Sequence, residues 1–248
     1  PGDVHIKYGC LRTGAYYVVK IASGFYDNPK LGLPSSQGLM LLFSKKTGQI
    51  AAVLLDEGRL TDIRTGAAGA VAARYLGPKE ISQIGIIGTG IQARVQLEYL
   101  ERVTDCRKVM VWGRSEEHTH AYARDVTARG FEARVVDDAK TLAESCNLIV
   151  TTTPSREPLL QNDWIRPGTH ITAVGADSPE KQELDSAILG RADVVVADSI
   201  SQCLLRGEIH RAITSGHLKE ERVVELGAVL ADTSTGRVDP EQITEADL

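Results

Sequence analysis

The sequence predicts an α/β protein with a parallel-sheet domain plus a smaller, mainly antiparallel sheet domain. Three observations predict it. From residue 80 onward, short apolar runs alternate with helical stretches, the rhythm of crossover units in a parallel sheet. The first of those runs ends in Gly88-Thr89-Gly90-Ile91-Gln92-Ala93, a G-x-G-x-x-A turn leading into a helix. The first 60 residues instead hold strand-like runs bounded by turn residues.

Those early runs are AYYVVKIA (15–22), GLMLLF (38–43) and IAAVLLD (50–56), with Ser35-Ser36 and Thr47-Gly48 as turn signals. A helix follows. Thr61 reads as its N-cap, Asp62 suits the first turn, and Gly77-Pro78 stops it. Its body, TGAAGAVAARYL (65–76), carries two interior glycines, each costing about 1 kcal/mol relative to Ala. Such a cost points to a close approach by another backbone or a ligand. A domain boundary falls near Pro78, giving residues 1–78 and 79–248.

Beyond it, SQIGIIG (82–88), KVMVWG (108–113), EARVV (132–136), NLIVTTT (147–153), THITAVG (169–175) and ADVVVAD (192–198) read as strands. The stretch 91–103 reads as a helix with Val95, Tyr99 and Val103 on one face. Further helices are expected near 115–128 and 139–145, and 156–167 reads as an irregular surface connection.

Composition narrows function. Charged residues are 25% of 248, the formal net charge is −5, and Phe, Trp and Tyr number 3, 2 and 7. A net negative, aromatic-poor chain is a poor nucleic-acid binder. No apolar run approaches 18 residues, so no transmembrane helix is predicted. No secretory leader is written, which suits a cytoplasmic protein; Pro rather than Met comes first, so a processed or missing N-terminus is expected. Cys10, Cys106, Cys146 and Cys203 form no CxxC and read as buried, reduced thiols. The six histidines lack metal-ligand spacing, so no metal site is expected.

In this context the glycine motif is the fingerprint of a Rossmann-type dinucleotide site. Gly88 permits the tight turn, Gly90 lets backbone approach a pyrophosphate, and Ala93 allows close helix–strand packing. Gly88, Thr89, Gly90, Ile91 and Gln92 are therefore assigned to the cofactor, with Thr152 at the tip of a later strand. The second strand of the unit ends in Trp112-Gly113-Arg114-Ser115 without the acid that binds ribose hydroxyls in NAD sites. Arg114 and Ser115 suit a 2′-phosphate instead, so NADP(H) is favoured over NAD(H).

Three further residues could do chemistry. Lys20 stands in an apolar strand, where pattern alone suggests an edge-strand lysine that blocks aggregation. Arg64 falls at the start of the helix capped by Thr61, a carboxylate seat or a surface ion-pair partner. Asp177 follows a strand directly, where open α/β sheets place ligands or where an Asx turn precedes Ser178-Pro179.

The chain resembles the ornithine cyclodeaminase/μ-crystallin family. The resemblance is carried by VVKIASGF (18–25), GLPSSQG (32–38), DEGRLTDIRTGAAGAVAARYL (56–76), IIGTGIQAR (86–94), AVGADSPEKQEL (173–184) and ELG (225–227). It implies a Rossmann domain beside a smaller domain that builds the substrate site and a homodimer interface. Relative to the family pattern the chain lacks an N-terminal and a final segment of that smaller domain. By resemblance, Lys20 lies beside the substrate carboxylate and reacting carbon, Arg64 grips the α-carboxylate, and Asp177 acts on the substrate amine. The implied activity is NAD(P)-dependent hydride transfer at the Cα–N bond of a small amino or imino acid, as an ornithine cyclodeaminase or amino-acid dehydrogenase. The alternatives are an NADPH-dependent cyclic imine reductase and a non-catalytic, cofactor-gated binding protein of the μ-crystallin kind.

Overall fold

The computed structural model describes residues 2–25 and 27–248. The chain divides into two compact units, Pro1–Arg64 and Thr65–Leu248.

The first unit is an antiparallel sheet in the order β1-β2-β3-β4, formed by β1 (Asp3–Cys10), β2 (Tyr16–Gly24), β3 (Ser36–Ser44) and β4 (Ile50–Leu54). β1 is absent from the predicted runs, although its sequence alternates polar His5 and Lys7 with apolar Val4, Ile6 and Tyr8. The β3–β4 hairpin closes on Gly48 at φ 73°, a left-handed position that glycine takes without steric cost. Ser44 Oγ accepts from the N–H groups of Lys46 and Thr47 in that turn. Register places Lys7, Lys20, Met40 and Leu54 in one cross-strand row, and Tyr8, Val19, Leu41 and Val53 in the next, on the opposite face.

The helix after β4 is α1 (Arg59–Leu76), and the division between the units falls inside it. Thr61 is not its cap. The carboxylate of Asp56 accepts from Leu60 N at 2.8 Å, and the chain enters through Glu57 and Gly58, both at positive φ. Arg64 is accordingly in the second turn rather than the first. The boundary read near Pro78 and the division at Arg64/Thr65 differ because the body of α1 packs on the second unit. A Cβ on Gly66 would fall 2.6 Å from Val95 Cγ1, and one on Gly69 would overlap the Gln96 side chain. The close approach that the glycines' cost implied is present, but it is made chiefly by side chains of the helix Ile91–Leu100 rather than by another backbone or a ligand.

The second unit holds eight parallel strands in the order β11-β10-β12-β9-β8-β5-β6-β7. These are β5 (Ile84–Ile87), β6 (Lys108–Trp112), β7 (Glu132–Val135), β8 (Leu148–Thr151), β9 (His170–Ala173), β10 (Val194–Ala197), β11 (Val223–Glu225) and β12 (Thr244–Asp247). Its remaining helices are α2 (Ile91–Leu100), α3 (Glu116–Ala128), α4 (Ala139–Ser145), α5 (Ser186–Arg191), α6 (Ile200–Cys203), α7 (Gly207–Thr214) and α8 (Leu226–Ala231). From β5 the chain runs outward through β6 to β7, then resumes at β8 on the other side of β5. That reversal is a topological switch point, where open α/β sheets bind ligands. The strands are short apolar runs because helices cover the sheet, so most of their residues are fully buried.

α2 turns Ala93, Leu97 and Leu100 onto Ile84, Ile86, Val109 and Val150. Each fully buried Leu contributes about 1.5–3 kcal/mol. Val95 and Tyr99 share the face that meets α1 at Gly66, whereas Val103 lies beyond the helix end at Leu100. The connection 156–167 is not purely surface: Leu160 and Ile165 join the core. Two of the four thiols, Cys146 and Cys203, are buried, whereas Cys10 is exposed and Cys106 partly so.

Candidate active site

The glycine turn sits at the switch point, and its two glycines serve different ends. Gly88, at φ 110°, is required by the fold: a Cβ there would come 2.5 Å from Thr152 Oγ1. Gly90 is not. It is exposed, its φ of −79° is open to any residue, and a Cβ there would meet nothing within 4 Å among the described residues. The protein itself gives no reason for glycine at the N-cap of α2, and an incoming group that must touch the backbone does. No side chain caps α2, so its positive end faces outward at the carboxyl edge of the sheet. Arg94 stiffens the turn, donating to Thr89 O at 2.5 Å and Gly90 O at 3.2 Å while its other nitrogens bind Asp125. Behind the turn, Tyr122 donates to Ala93 O at 2.9 Å. Both the open N-cap and the absent Cβ fit a pyrophosphate.

Strand order then aligns the other candidates of this unit along one edge. Arg114 follows β6, Gly88–Gly90 follow β5, Thr152 follows β8 and Asp177 follows β9, in four adjacent strands. Three strand spacings span roughly 14 Å, the scale of an extended dinucleotide. Arg114 is exposed at its tip; Ser115 caps α3, its Oγ accepting from His118 N at 3.4 Å. Thr152 Oγ1 donates to Ile87 O at 3.2 Å, tying β8 to β5 directly beneath the turn.

Asp177 is exposed and forms an ion pair with Lys181, whose side chain is nearly buried. A lysine so placed needs an anion beside it, so Asp177 has a structural task as well as a position on the ligand edge. The loops around it are held by a residue that motif reasoning left aside. Glu183, fully buried, accepts from Thr153 N at 2.6 Å, Gly175 N at 2.8 Å and Thr151 Oγ1 at 2.8 Å. It therefore locks the segments after β8 and β9 that carry Thr152 and Asp177. Burial pushes its carboxyl up to about 7, although the three donors favour the charged form. Glu208 in turn accepts from the N–H groups of Glu183 and Leu184. Arg94 and Glu183 both lie in segments that carry the family resemblance, but their use is tertiary and leaves no spacing to read.

In the first unit, Lys20 is on a central strand, paired on both sides, which removes the edge-strand explanation. Burial first, then the charges of Arg64 and Lys7, lower its ammonium to about 8, with Asp56 opposing them. An open groove of about 610 Å³ runs beside it, lined among others by Lys7, Val18, Lys20 and Met40. Lys20, Arg64 and Asp56 thus belong to one electrostatic neighbourhood. No group of three or more His, Cys, Asp or Glu side chains among the described residues is placed to hold a metal ion.

The family model described as the Ornithine cyclodeaminase/mu-crystallin family matches residues 7–247. Among solved structures, an archaeal alanine dehydrogenase dimer with bound NAD is 37% identical, with a TM-score of 0.87 over 99% of this chain and 79% of that one. The Δ(1)-pyrroline-2-carboxylate reductase of Thermococcus litoralis, in complex with NADH and L-proline, is 30% identical, with a TM-score of 0.87 over 99% and 81%. The iminosuccinate reductase of Paracoccus denitrificans, in complex with NAD+, is 32% identical, with a TM-score of 0.88 over 100% and 79%.

Proposed function

We propose that this chain, which belongs to the ornithine cyclodeaminase/mu-crystallin family of NAD(P)-dependent enzymes, acts at the Cα–N bond of a small amino or imino acid, and that its residues divide the work as follows. The observation that carries the proposal is Gly90, an exposed N-cap glycine that the fold does not need and a pyrophosphate does.

Gly88, Thr89, Gly90, Ile91 and Gln92 hold the pyrophosphate at the N-terminus of α2. Arg114 and Ser115 lie one strand over, at the adenosine end, and Thr152 and Asp177 lie toward the nicotinamide end. The charge of Arg114 and the absence of an acid at the tip of β6 favour NADP(H) over NAD(H). Bound there, the nicotinamide supplies or accepts a hydride at the substrate Cα.

Arg64 and Lys20 bind the substrate α-carboxylate through charge-assisted hydrogen bonds. Lys20, with its ammonium lowered to about 8, releases and regains a proton more readily than an ordinary lysine, which suits a group beside a reacting imine. Asp177 takes a proton from the substrate ammonium before oxidation and returns one to the amine after reduction. Lys181 keeps that carboxylate oriented, and Glu183 holds the loop that carries it.

The protein acts in the cytoplasm as a homodimer in this reading. The row Tyr8, Val19, Leu41 and Val53, with Ile6 and Val4 on the same face, is an apolar sheet surface that a second copy would cover.

The test is a panel. NADH or NADPH is offered with keto acids plus ammonia and with cyclic imines, and NAD+ is offered with ornithine under a proline assay. Net cofactor turnover identifies a dehydrogenase or reductase; proline and ammonia without net turnover identify a cyclodeaminase. Failure of every arm at saturating cofactor would overturn the proposal.

A further inference from the structure

The second unit has a cleft at the amino ends of β5, β8, β9 and β12, four neighbouring strands of the parallel sheet. The glycine turn lies at the other edge of that sheet. The cleft holds about 590 Å³, within the range of small-molecule sites. Two segments line it. One is the end of α1 and the turn after it, with Arg74, Lys79 and Glu80; the other precedes β12, with Asp239 and Glu241. Arg237 ties the two together. Its Nε donates to Leu76 O at 2.6 Å, and its Nη1 donates to Pro240 O at 3.2 Å and Gln242 O at 2.6 Å. Its Nη2 donates to Thr169 O and to Thr244 Oγ1, both at 3.1 Å. All five guanidinium N–H groups are thereby used, each on an uncharged oxygen. One residue fixes both sides of the cleft, so the cleft needs no ligand to form.

The charges around it are sorted by segment. Arg74 and Lys79 against Glu80 leave the first segment net positive, and Asp239 and Glu241 make the second negative. Arg237 between them brings the whole lining to zero. Among the described residues none of these six side chains joins an ion pair. Charges of both signs thus border one cleft without closing on one another. A simple anion would meet the carboxylates there, and a simple cation the basic side. A ligand carrying both signs satisfies each segment at once.

We propose that this cleft is a binding site for a free α-amino acid in its zwitterionic form, with Arg74 and Lys79 on the carboxylate and Asp239 and Glu241 on the ammonium. Arginine grips a carboxylate through paired, charge-assisted hydrogen bonds. Single contacts between exposed charges are weak, so selectivity comes from engaging both ends together. The cleft shares no residue with the groove beside Lys20, so this site goes beyond the proposed reaction.

The experiment is titration of the intact protein, by calorimetry and by amide NMR, with L-norvaline, pentanoate and butylamine. These probes have similar chains and carry both charges, the carboxylate alone and the ammonium alone. Wild type should bind norvaline at least 10-fold tighter than either singly charged probe, with the amides of Gly77 and Gly168 shifting. Lys20→Met, which disables the proposed substrate seat, should keep that binding. Arg74→Gln with Lys79→Gln, and separately Asp239→Asn with Glu241→Gln, should each weaken norvaline about 10-fold or more. All four positions are exposed, so Tm and NADH affinity should stay near those of the wild type. Equal affinity for the three probes, norvaline binding that survives both double variants, or binding that disappears in Lys20→Met would overturn the inference.

Discussion

Alanine at Gly88 and at Gly90, one at a time, should give opposite results, because the two glycines answer to different partners. At Gly88 the new Cβ would lie 2.5 Å from Thr152 Oγ1, with the backbone at φ 110°. Overpacking costs about 1–3 kcal/mol and a disfavoured backbone a further 1–3. The sum, about 2–6 kcal/mol, lowers the Tm of a unit this size by about 4–24 °C. At Gly90 the Cβ meets nothing within 4 Å among the described residues, so only the poorer N-cap is felt. That is about 0.5–1 kcal/mol and a few degrees at most. With the pyrophosphate held as proposed, the methyl stands where a phosphate touches backbone, so NAD(P)H affinity should fall at least 10-fold, about 1.4 kcal/mol. Calorimetric melting without ligand and fluorescence titration with NADH and NADPH measure the two quantities separately. Gly90→Ala binding cofactor as wild type does, or melting as low as Gly88→Ala, would refute the assignment of the turn to a pyrophosphate.

Three more outcomes follow from the same geometry. Arg114→Asp should weaken NADPH selectively, leaving NADH within a few fold; wild type binding NADH at least as tightly as NADPH would make Arg114 a bystander. Asp177→Asn should cut single-turnover hydride transfer by about 100-fold with saturating cofactor, and near-normal turnover would leave the residue only its ion pair with Lys181. Glu183 holds its proton to about 7 when folded against an ordinary 4.5, so its contribution is full below pH 4.5 and lost as pH rises to about 7. That is about 3 kcal/mol; urea unfolding from pH 4.5 to 7.5 should show a loss of that order relative to Glu183→Gln, and parallel profiles would mean the three donors outweigh burial.

The second unit was largely legible because its pattern is local. A buried parallel strand writes a continuous apolar run, so each run from 82 to 198 falls on a strand, and the glycine turn caps the first crossover helix as expected. β12 was missed because its short run, Thr244–Asp247, carries two acids. Glu245 is wholly buried, its carboxylate oxygens have no hydrogen-bond partner among the described residues, and burial with the nearby Asp247 and Glu208 raises its carboxyl well above the ordinary range. No polarity rule marks such a segment as core. The Asp56 cap was missed for a different reason: its distance from the helix body is bridged by Glu57 and Gly58 at positive φ, which the sequence does not display. The strand-end positions of Gly88, Gly90 and Asp177 were legible, whereas Arg94, Lys181 and Glu183 act through hydrogen bonds and an ion pair that only the folded chain assembles.

The central claim is hydride exchange at Cα, and an isotope tests it most directly. A panel of amino acids deuterated at Cα, ornithine and dicarboxylic amino acids among them, is incubated with NAD+ and NADP+, and product and cofactor are read by mass spectrometry. Hydride exchange at Cα places deuterium in the reduced cofactor when the reaction is a net oxidation, or retains it at Cα of a cyclised product when the hydride returns. Deuterium lost to water from a substrate that turns over would mean a proton, not a hydride, leaves Cα, and would contradict the account.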